Sequence, residues 1–319
     1  MAKAYKEHWS GYREWEERGH AERYLVMGGN TGPRLSIDES SLTRGELYTY
    51  LTNKEGRGRK GTLVAVVRGT GSDTVSDVLA SIPLRDRKTV REVSMDFSES
   101  MRAIVERSFP DARIVVDRFH VVRLATEAMQ QERIALRKKA MKQTAELRKS
   151  LMEAGAMAVK MAGHAVRIKR LGIPRLENGD TPAELLARSQ YLLCTSPDRW
   201  SESQAARARL LFLHYPSLKQ AYGLVQQLRS VYRCAKSLPD AAARLQQWHC
   251  DVLNSPFDHL KVAADTILSR QDHVLHFFID RSTNAYAESV NAKIKNFRSA
   301  LRGVSDPAFF LFRLSRILG

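Results

Sequence analysis

The sequence predicts an α/β protein: five strands and two helices in the order β-β-β-α-β-α-β occupy residues 34–120, and an all-helical stretch follows. Three observations predict it. Between residues 34 and 68, three short runs alternate apolar and polar side chains with the two-residue period of a pleated strand. Between residues 73 and 116, helical spacing of apolar residues alternates with brief strand-like runs. From His120 to about residue 280 no strand-like run recurs, and amphipathic patterns are broken only by Pro174, Pro197, Pro216, Pro239 and Pro256.

Taken in order, residues 1–33 read as a short amphipathic helix carrying Trp9, Tyr12 and Trp15, stopped by the breaker Gly28-Gly29-Asn30-Thr31-Gly32-Pro33. Strands are expected at 34–40 (RLSIDES), 46–52 (ELYTYLT) and 62–68 (TLVAVVR). The short polar connections, such as the basic Gly-rich turn NKEGRGRKG at 53–61, point to an antiparallel meander. Residues 73–82 place Val75, Val78, Leu79 and Ile82 on one helical face. A strand at 92–95, a helix at 98–109 with Met101, Ile104, Val105 and Phe109 inward, and a strand at 113–116 complete the series. The expected organisation is a helical segment 1–33, a first core part 34–120, a helical insertion 121–280 and a last core part 281–319.

The 51 Lys and Arg against 35 Asp and Glu leave a net charge of +16. Such a surplus repels itself unless the partner is polyanionic, and nucleic acid fits best; a merely basic protein or a membrane-surface binder stays open. Cys194, Cys234 and Cys250 are too widely spaced for a metal knuckle and odd in number for a disulfide framework, so they read as reduced thiols of a cytoplasmic protein. The first twenty residues lack an apolar signal core, and no window approaches the ~18 apolar residues of a membrane span, so no membrane span is expected, and nucleic acid rather than membrane is taken as the partner. The helix at 119–153 carries Arg133, Arg137, Lys138, Lys139, Lys142, Arg148 and Lys149, which serve either as a solvated face or as contacts to a DNA backbone. Phosphate-binding loops, dinucleotide fingerprints and nucleophile elbows are missing, leaving nucleotide hydrolysis, redox and acyl transfer without their usual support.

Two runs share one pattern: Leu35-Ser36-Ile37-Asp38 and Val93-Ser94-Met95-Asp96, each apolar-Ser-apolar-Asp at a strand end. The pleat puts each Ser and Asp on a common face, and the two Asp converge if the strands are neighbours. An acid ending a strand also serves as a turn-former or helix cap, but ligands of open sheets gather at the carboxyl ends of strands. A helix at 284–302 carries the apolar stripe Ala287, Val290, Ile294, Phe297 and Leu301. Beside it runs a polar stripe of Asn284, Glu288, Asn291 and Lys295, at the rim of the packed face rather than opposite it. Two Asp and a Glu are hard oxygen ligands suited to Mg²⁺ or Mn²⁺. Two such ions would activate the attacking oxygen and stabilise the leaving oxygen of a phosphodiester displacement. Asp117 and His120, at a strand-to-helix junction, fit a helix cap, a DNA-backbone contact or support of such a site.

The runs IDESSL, VSMDFSESM, FPDARIVVDRFHVVRL and TNAYAESVNAKIKNFRSALRG, in that order, resemble the DDE transposases of the ISL-three group of bacterial insertion sequences over nearly the whole chain. The resemblance implies a ribonuclease-H-like mixed five-stranded sheet with a large all-helical insertion before the last catalytic helix. It implies that Asp38, Asp96 and Glu288 hold one pair of Mg²⁺ or Mn²⁺ ions, with Asp117, His120, Asn284, Asn291 and Lys295 in matching motifs nearby. The implied function is metal-dependent cleavage and strand transfer of double-stranded DNA, at element ends and target, by a homo-oligomer. Members of the group usually carry a Cys-rich zinc segment and a helix-turn-helix ahead of the first strand. No cysteine precedes residue 34 here, so a separate N-terminal DNA-recognition protein is the expected partner. A ribonuclease-H-fold nuclease or resolvase that cuts without joining, and a non-catalytic DNA-binding derivative that uses the basic helices alone, are the alternatives.

Overall fold

The computed structural model describes residues 4–43, 45–162, 174–281, 285–300 and 304–319. The chain divides into two compact units, Met1–Val121 with Arg270–Gly319, and Val122–Ser269.

The first unit is built on one mixed sheet of strands β1 (Tyr24–Val26), β2 (Arg34–Thr43), β3 (Glu46–Asn53), β4 (Leu63–Arg68), β5 (Glu92–Met95) and β6 (Arg113–Val116), in the spatial order β1-β4-β3-β2-β5-β6. The first four pair antiparallel, β2, β3 and β4 as the meander pattern predicts and β1 in addition. Strand β5 then lies parallel to β2, and β6 parallel to β5. Strand β4, LVAVVR, is flanked on both sides and buries every residue but Arg68, which is why it lacks clean alternation.

Each face of the sheet carries its own core. Leu35, Ile37, Val93, Met95 and Ile114 meet Val75 and Leu79 of α1 (Ser72–Leu79) and Met101, Ile104 and Val105 of α2 (Glu99–Ser108). On the other face, Tyr48, Tyr50, Leu63 and Val66 meet Val290 and Ile294 of one late helix and Phe310, Leu311, Leu314 and Leu318 of the next. Ser98 caps α2 by accepting from the Met101 amide at 3.3 Å, ending the loop that leaves β5.

Two sequence expectations change. The sheet has six strands rather than five, because Tyr24–Val26 forms β1 inside the segment expected to be helical; among its described residues that segment otherwise holds short turns at Tyr5–Trp9, Glu16–Gly19 and Gly28–Asn30. Tertiary partners outweigh the local helical period there: Tyr12 and Trp15 pack ring to ring against Phe312, and Leu25 is buried beside Val66. Strand β2 also does not end near Asp38 but continues, paired with β3, to Thr43.

The second unit is helical in its described residues. It takes in most of α3 (Arg118–Ala162), followed by α4 (Pro182–Arg188), α5 (Glu202–His214), α6 (Pro216–Cys234), α7 (Leu238–Leu253) and α8 (Asp258–Leu268). Pro182, Pro216 and Pro239 stand in first turns, where the missing N–H costs nothing. Helix α7 packs on α6 and α8, with Trp248 fully buried and its indole N–H donating to the Leu224 carbonyl at 2.9 Å. Among the described residues no helix is long and apolar enough to cross a membrane.

Candidate functional site

The parallel register builds the site. Ser36 of β2 stands opposite Ser94 of β5, which puts Asp38 and Asp96, two residues on, at one level. Met95 of β5 stands opposite Val116 of β6, and the Asp117 amide continues that ladder by donating to the Met95 carbonyl at 2.9 Å. Asp38, Asp96 and Asp117 thus form a row across three adjacent strands. Paired residues of a sheet share a face, and theirs is the face of Tyr50, the cross-strand partner of Asp38.

In each aspartate a following backbone N–H anchors one carboxylate oxygen. Glu39 N–H donates to Asp38 Oδ1 at 2.8 Å, Ser98 N–H to Asp96 Oδ1 at 2.7 Å, and Phe119 N–H to Asp117 Oδ1 at 3.1 Å. The turn-forming role is therefore real for Asp96 and Asp117, which follow the ends of β5 and β6, whereas Asp38 lies within β2; in each the second oxygen is left for other work. Asp117 Oδ2 is buried with no hydrogen-bond partner among the described residues.

The electrostatics follow from crowding. Burial pushes the Asp38 carboxyl above its ordinary value, against the Glu39 amide, the His120 imidazole and Asn291, which favour its ionised form; the neighbouring Asp96 charge adds to the rise. The Glu39 carboxyl is also pushed up, by burial first and then by Asp96 and Asp38. Beneath the row, the buried Lys54 Nζ donates to Glu92 Oε1 at 2.9 Å and to the Ser94 hydroxyl. Arg113 reaches Glu92 Oε2 at 3.5 Å and Asp280 at 2.5 Å. Burial lowers the Lys54 pKa, and Glu92 and, more weakly, Asp117 work against that shift.

The helix α9 (Ala285–Ala300) packs on β2. The Asn291 side-chain amide donates to Asp38 Oδ2, and Arg298 Nη1 donates to the Ser41 carbonyl at 2.6 Å. Glu288 lies on this helix one turn before Asn291, but its side chain is outside the described residues, as is Asn284 altogether. Lys295 is exposed on α9. Arg137, Lys138 and Lys139 are exposed on α3, whereas Arg133 of the same basic run is buried and donates to the Leu186 carbonyl at 3.0 Å. Among the described residues no group of three His, Cys, Asp or Glu side chains is arranged to hold a metal ion.

Asp38, Asp96, His120 and Asn291 therefore come together, and Asp117 joins their row. Glu39 and Lys54 escaped sequence reading. Glu39 directly follows Asp38, a visible signal; Lys54 sits in a basic turn with nothing local to mark its burial.

Comparison with known proteins gives the chain a class. A family model described as Transposase, that of the DDE enzymes of the ISL-three group, matches residues 35–314. The chain is a transposase by family, and it belongs to the ISL-three family. It is 26% identical over 275 residues to the transposase for insertion sequence element IS1557 of Mycobacterium tuberculosis, in both strain CDC 1551 / Oshkosh and strain ATCC 25618 / H37Rv. The alignment covers 83% of this chain and 57% of each relative, so the chain spans little more than half the length of the curated relatives it matches. No solved structure matches.

Proposed function

We propose that the chain is the catalytic part of a DDE transposase, with a ribonuclease-H-like core interrupted by the helical unit Val122–Ser269 as an insertion. Asp38, Asp96 and Glu288 would carry metal-dependent cleavage and strand transfer of double-stranded DNA, at element ends and target, within a homo-oligomer. The observation that carries this reading is the level placement of Asp38 and Asp96 on adjacent parallel strands, under a helix that bonds to Asp38 through Asn291. Glu288 and Asn291, three apart, share a face of α9 by helical periodicity.

The donor set fits a hard divalent cation. The carboxylates supply oxygen only, and a desolvated Asp38 beside Asp96 is a concentration of negative charge that Mg²⁺ or Mn²⁺ relieves. When bound, a pair of such ions supplies charge stabilisation to the attacking and leaving oxygens of an in-line displacement. The protein's own part is orientation. Backbone N–H groups lock one oxygen each of Asp38 and Asp96 and aim the other, while Asn291 fixes Asp38 against α9. In cleavage, a water oxygen bonds to phosphorus, the bond from phosphorus to the 3′ oxygen breaks, and that oxygen leaves as a 3′-hydroxyl. In joining, the freed 3′-hydroxyl attacks a target phosphodiester in the same manner.

The experiment is a paired assay with precut and uncut element-end duplexes in Mg²⁺. Cleavage and joining by the unaltered chain, with both abolished in Asp96→Asn and Glu288→Gln while DNA binding persists, is the expected outcome. Cutting without joining would give the nuclease reading; binding indifferent to both substitutions, with no cutting, would give the non-catalytic one.

A further inference from the structure

The turn between β3 and β4 is cationic and is fixed from two sides. Arg59 and Lys60 are exposed on it and form no ion pair among the described residues, while Glu55, its one acid, pairs with Arg34 at 3.6 Å. On one side the Thr62 N–H donates to the Leu318 carbonyl at 2.8 Å and the Gly61 N–H to the Gly319 carbonyl at 3.3 Å. On the other, Lys293 Nζ of α9 donates to the Gly58 carbonyl at 2.5 Å. Glycine suits that position through its backbone: Gly58 has φ +70°, where a side chain is strained. One turn of α9, residues 290–293, therefore reaches the basic loop through Lys293 and holds Asp38 through Asn291.

We propose that this turn is a clamp for the DNA phosphate backbone, in which Arg59 and Lys60 neutralise phosphates farther along the duplex from the one that lies at Asp38 and Asp96. The inference rests on the transposase reading above for the identity of the polyanion. A row of aspartates repels a phosphodiester chain, so cations must meet its other phosphates, and a loop bolted to the helix turn that holds Asp38 keeps them at a constant offset from the row. Main-chain bonds at Thr62, Gly61 and Gly58 make the loop a rigid platform, so it engages DNA with little ordering cost. Because phosphates carry no base identity, the clamp serves any sequence equally.

The test uses the full chain and two fluorescent duplexes of unrelated sequence, titrated in EDTA over a range of salt. Arg59→Ala/Lys60→Ala is expected to weaken binding to both duplexes alike and to flatten the slope of log K against log salt by about 1.8, or ~0.9 for each phosphate no longer neutralised. The charge-preserving Arg59→Lys/Lys60→Arg keeps the original slope, which separates missing charge from a disturbed fold. An unchanged slope in the alanine variant, or weakening on one duplex only, overturns the clamp. The assay contains no metal and involves no strand chemistry. A chain that binds through the turn but never cuts in Mg²⁺ would refute the transposase reading alone, and one that cuts but ignores these substitutions would refute the clamp alone.

Discussion

The Asn291 side-chain amide of α9 donates to Asp38 Oδ2 of β2, tying the helix that carries Glu288 to the strand that carries the first aspartate of the row. The two residues lie far apart in sequence, so this bond joins α9 to β2 at a point that no local element controls. It also completes Asp38, whose other oxygen is held by the Glu39 amide.

Removing that donor in Asn291→Ala should loosen the carboxylate geometry without unfolding the core. Partners that orient metal ligands are worth about 10- to 100-fold in metal affinity or activity. The Mg²⁺ concentration for half-maximal cleavage should rise by that factor at unchanged circular dichroism. An unaltered Mg²⁺ requirement would show that Asn291 only packs.

Asp38→Asn should stabilise the protein near neutral pH while abolishing cleavage. Burial raises the Asp38 pKa in the folded chain. A raised carboxyl contributes stability that is full below its unfolded value and is lost as pH rises through the folded value, so the ionised group weighs against folding at about pH 7. The variant should gain on the order of 1 kcal/mol there, about 2–4 °C in melting temperature, and nothing at about pH 3. A gain that persists at the acid end would assign the effect to something other than ionisation.

Mg²⁺ without DNA should raise the melting temperature of the unaltered chain and leave that of Asp38→Asn/Asp96→Asn in place. Binding to the folded state alone contributes about 1.4 kcal/mol at ten times the dissociation constant. Differential scanning fluorimetry across a Mg²⁺ series reads it directly, and equal shifts in both proteins would place the ion elsewhere.

Lys54→Met should be among the most damaging single changes in the first unit. It removes the buried ammonium that bonds the Glu92 carboxylate and the Ser94 hydroxyl beneath the row, leaving Arg113 at 3.5 Å beside Glu92. Breaking one partner of a buried pair costs about 3–5 kcal/mol, whereas replacing both with apolar groups is often close to neutral. Urea unfolding should therefore show Lys54→Met/Glu92→Met recovering most of the deficit, and a double variant as unstable as the single one would contradict a paired role for the two charges.

The basic run on α3 should split by burial. Arg133→Ala removes a buried charged donor to the Leu186 carbonyl and should cost about 1.5–3 kcal/mol of stability with little change in DNA affinity. Lys138→Ala/Lys139→Ala, at exposed positions, should leave the melting temperature alone and reduce the salt dependence of DNA binding. A salt dependence indifferent to Lys138 and Lys139 would mark them as an ordinary solvated face.

Much of the fold and half of the site are legible in local pattern. The two apolar-Ser-apolar-Asp runs, the strand series from residue 34 onward and the stripe of Val290 and Ile294 are short-range periodicities, which the backbone geometry of strands and helices translates directly into faces. The α/β class, the net charge and the acids at strand positions are thus properties of the chain before it folds, and the family follows from the resemblance its motifs carry.

The remainder depends on partners distant in the chain, which folding alone brings together. Tyr24–Val26 becomes a strand because β4 offers an edge and the Phe312 ring engages Tyr12 and Trp15. Asp117 enters the row because β6 pairs parallel to β5 in a register that no local spacing encodes. Lys54 and Arg133 leave the pool of solvated charges because Glu92 and the Leu186 carbonyl meet them inside. Local sequence sets which face a side chain takes along its own element, whereas the alignment of one element on another is settled by burial and hydrogen-bond satisfaction summed over the whole core.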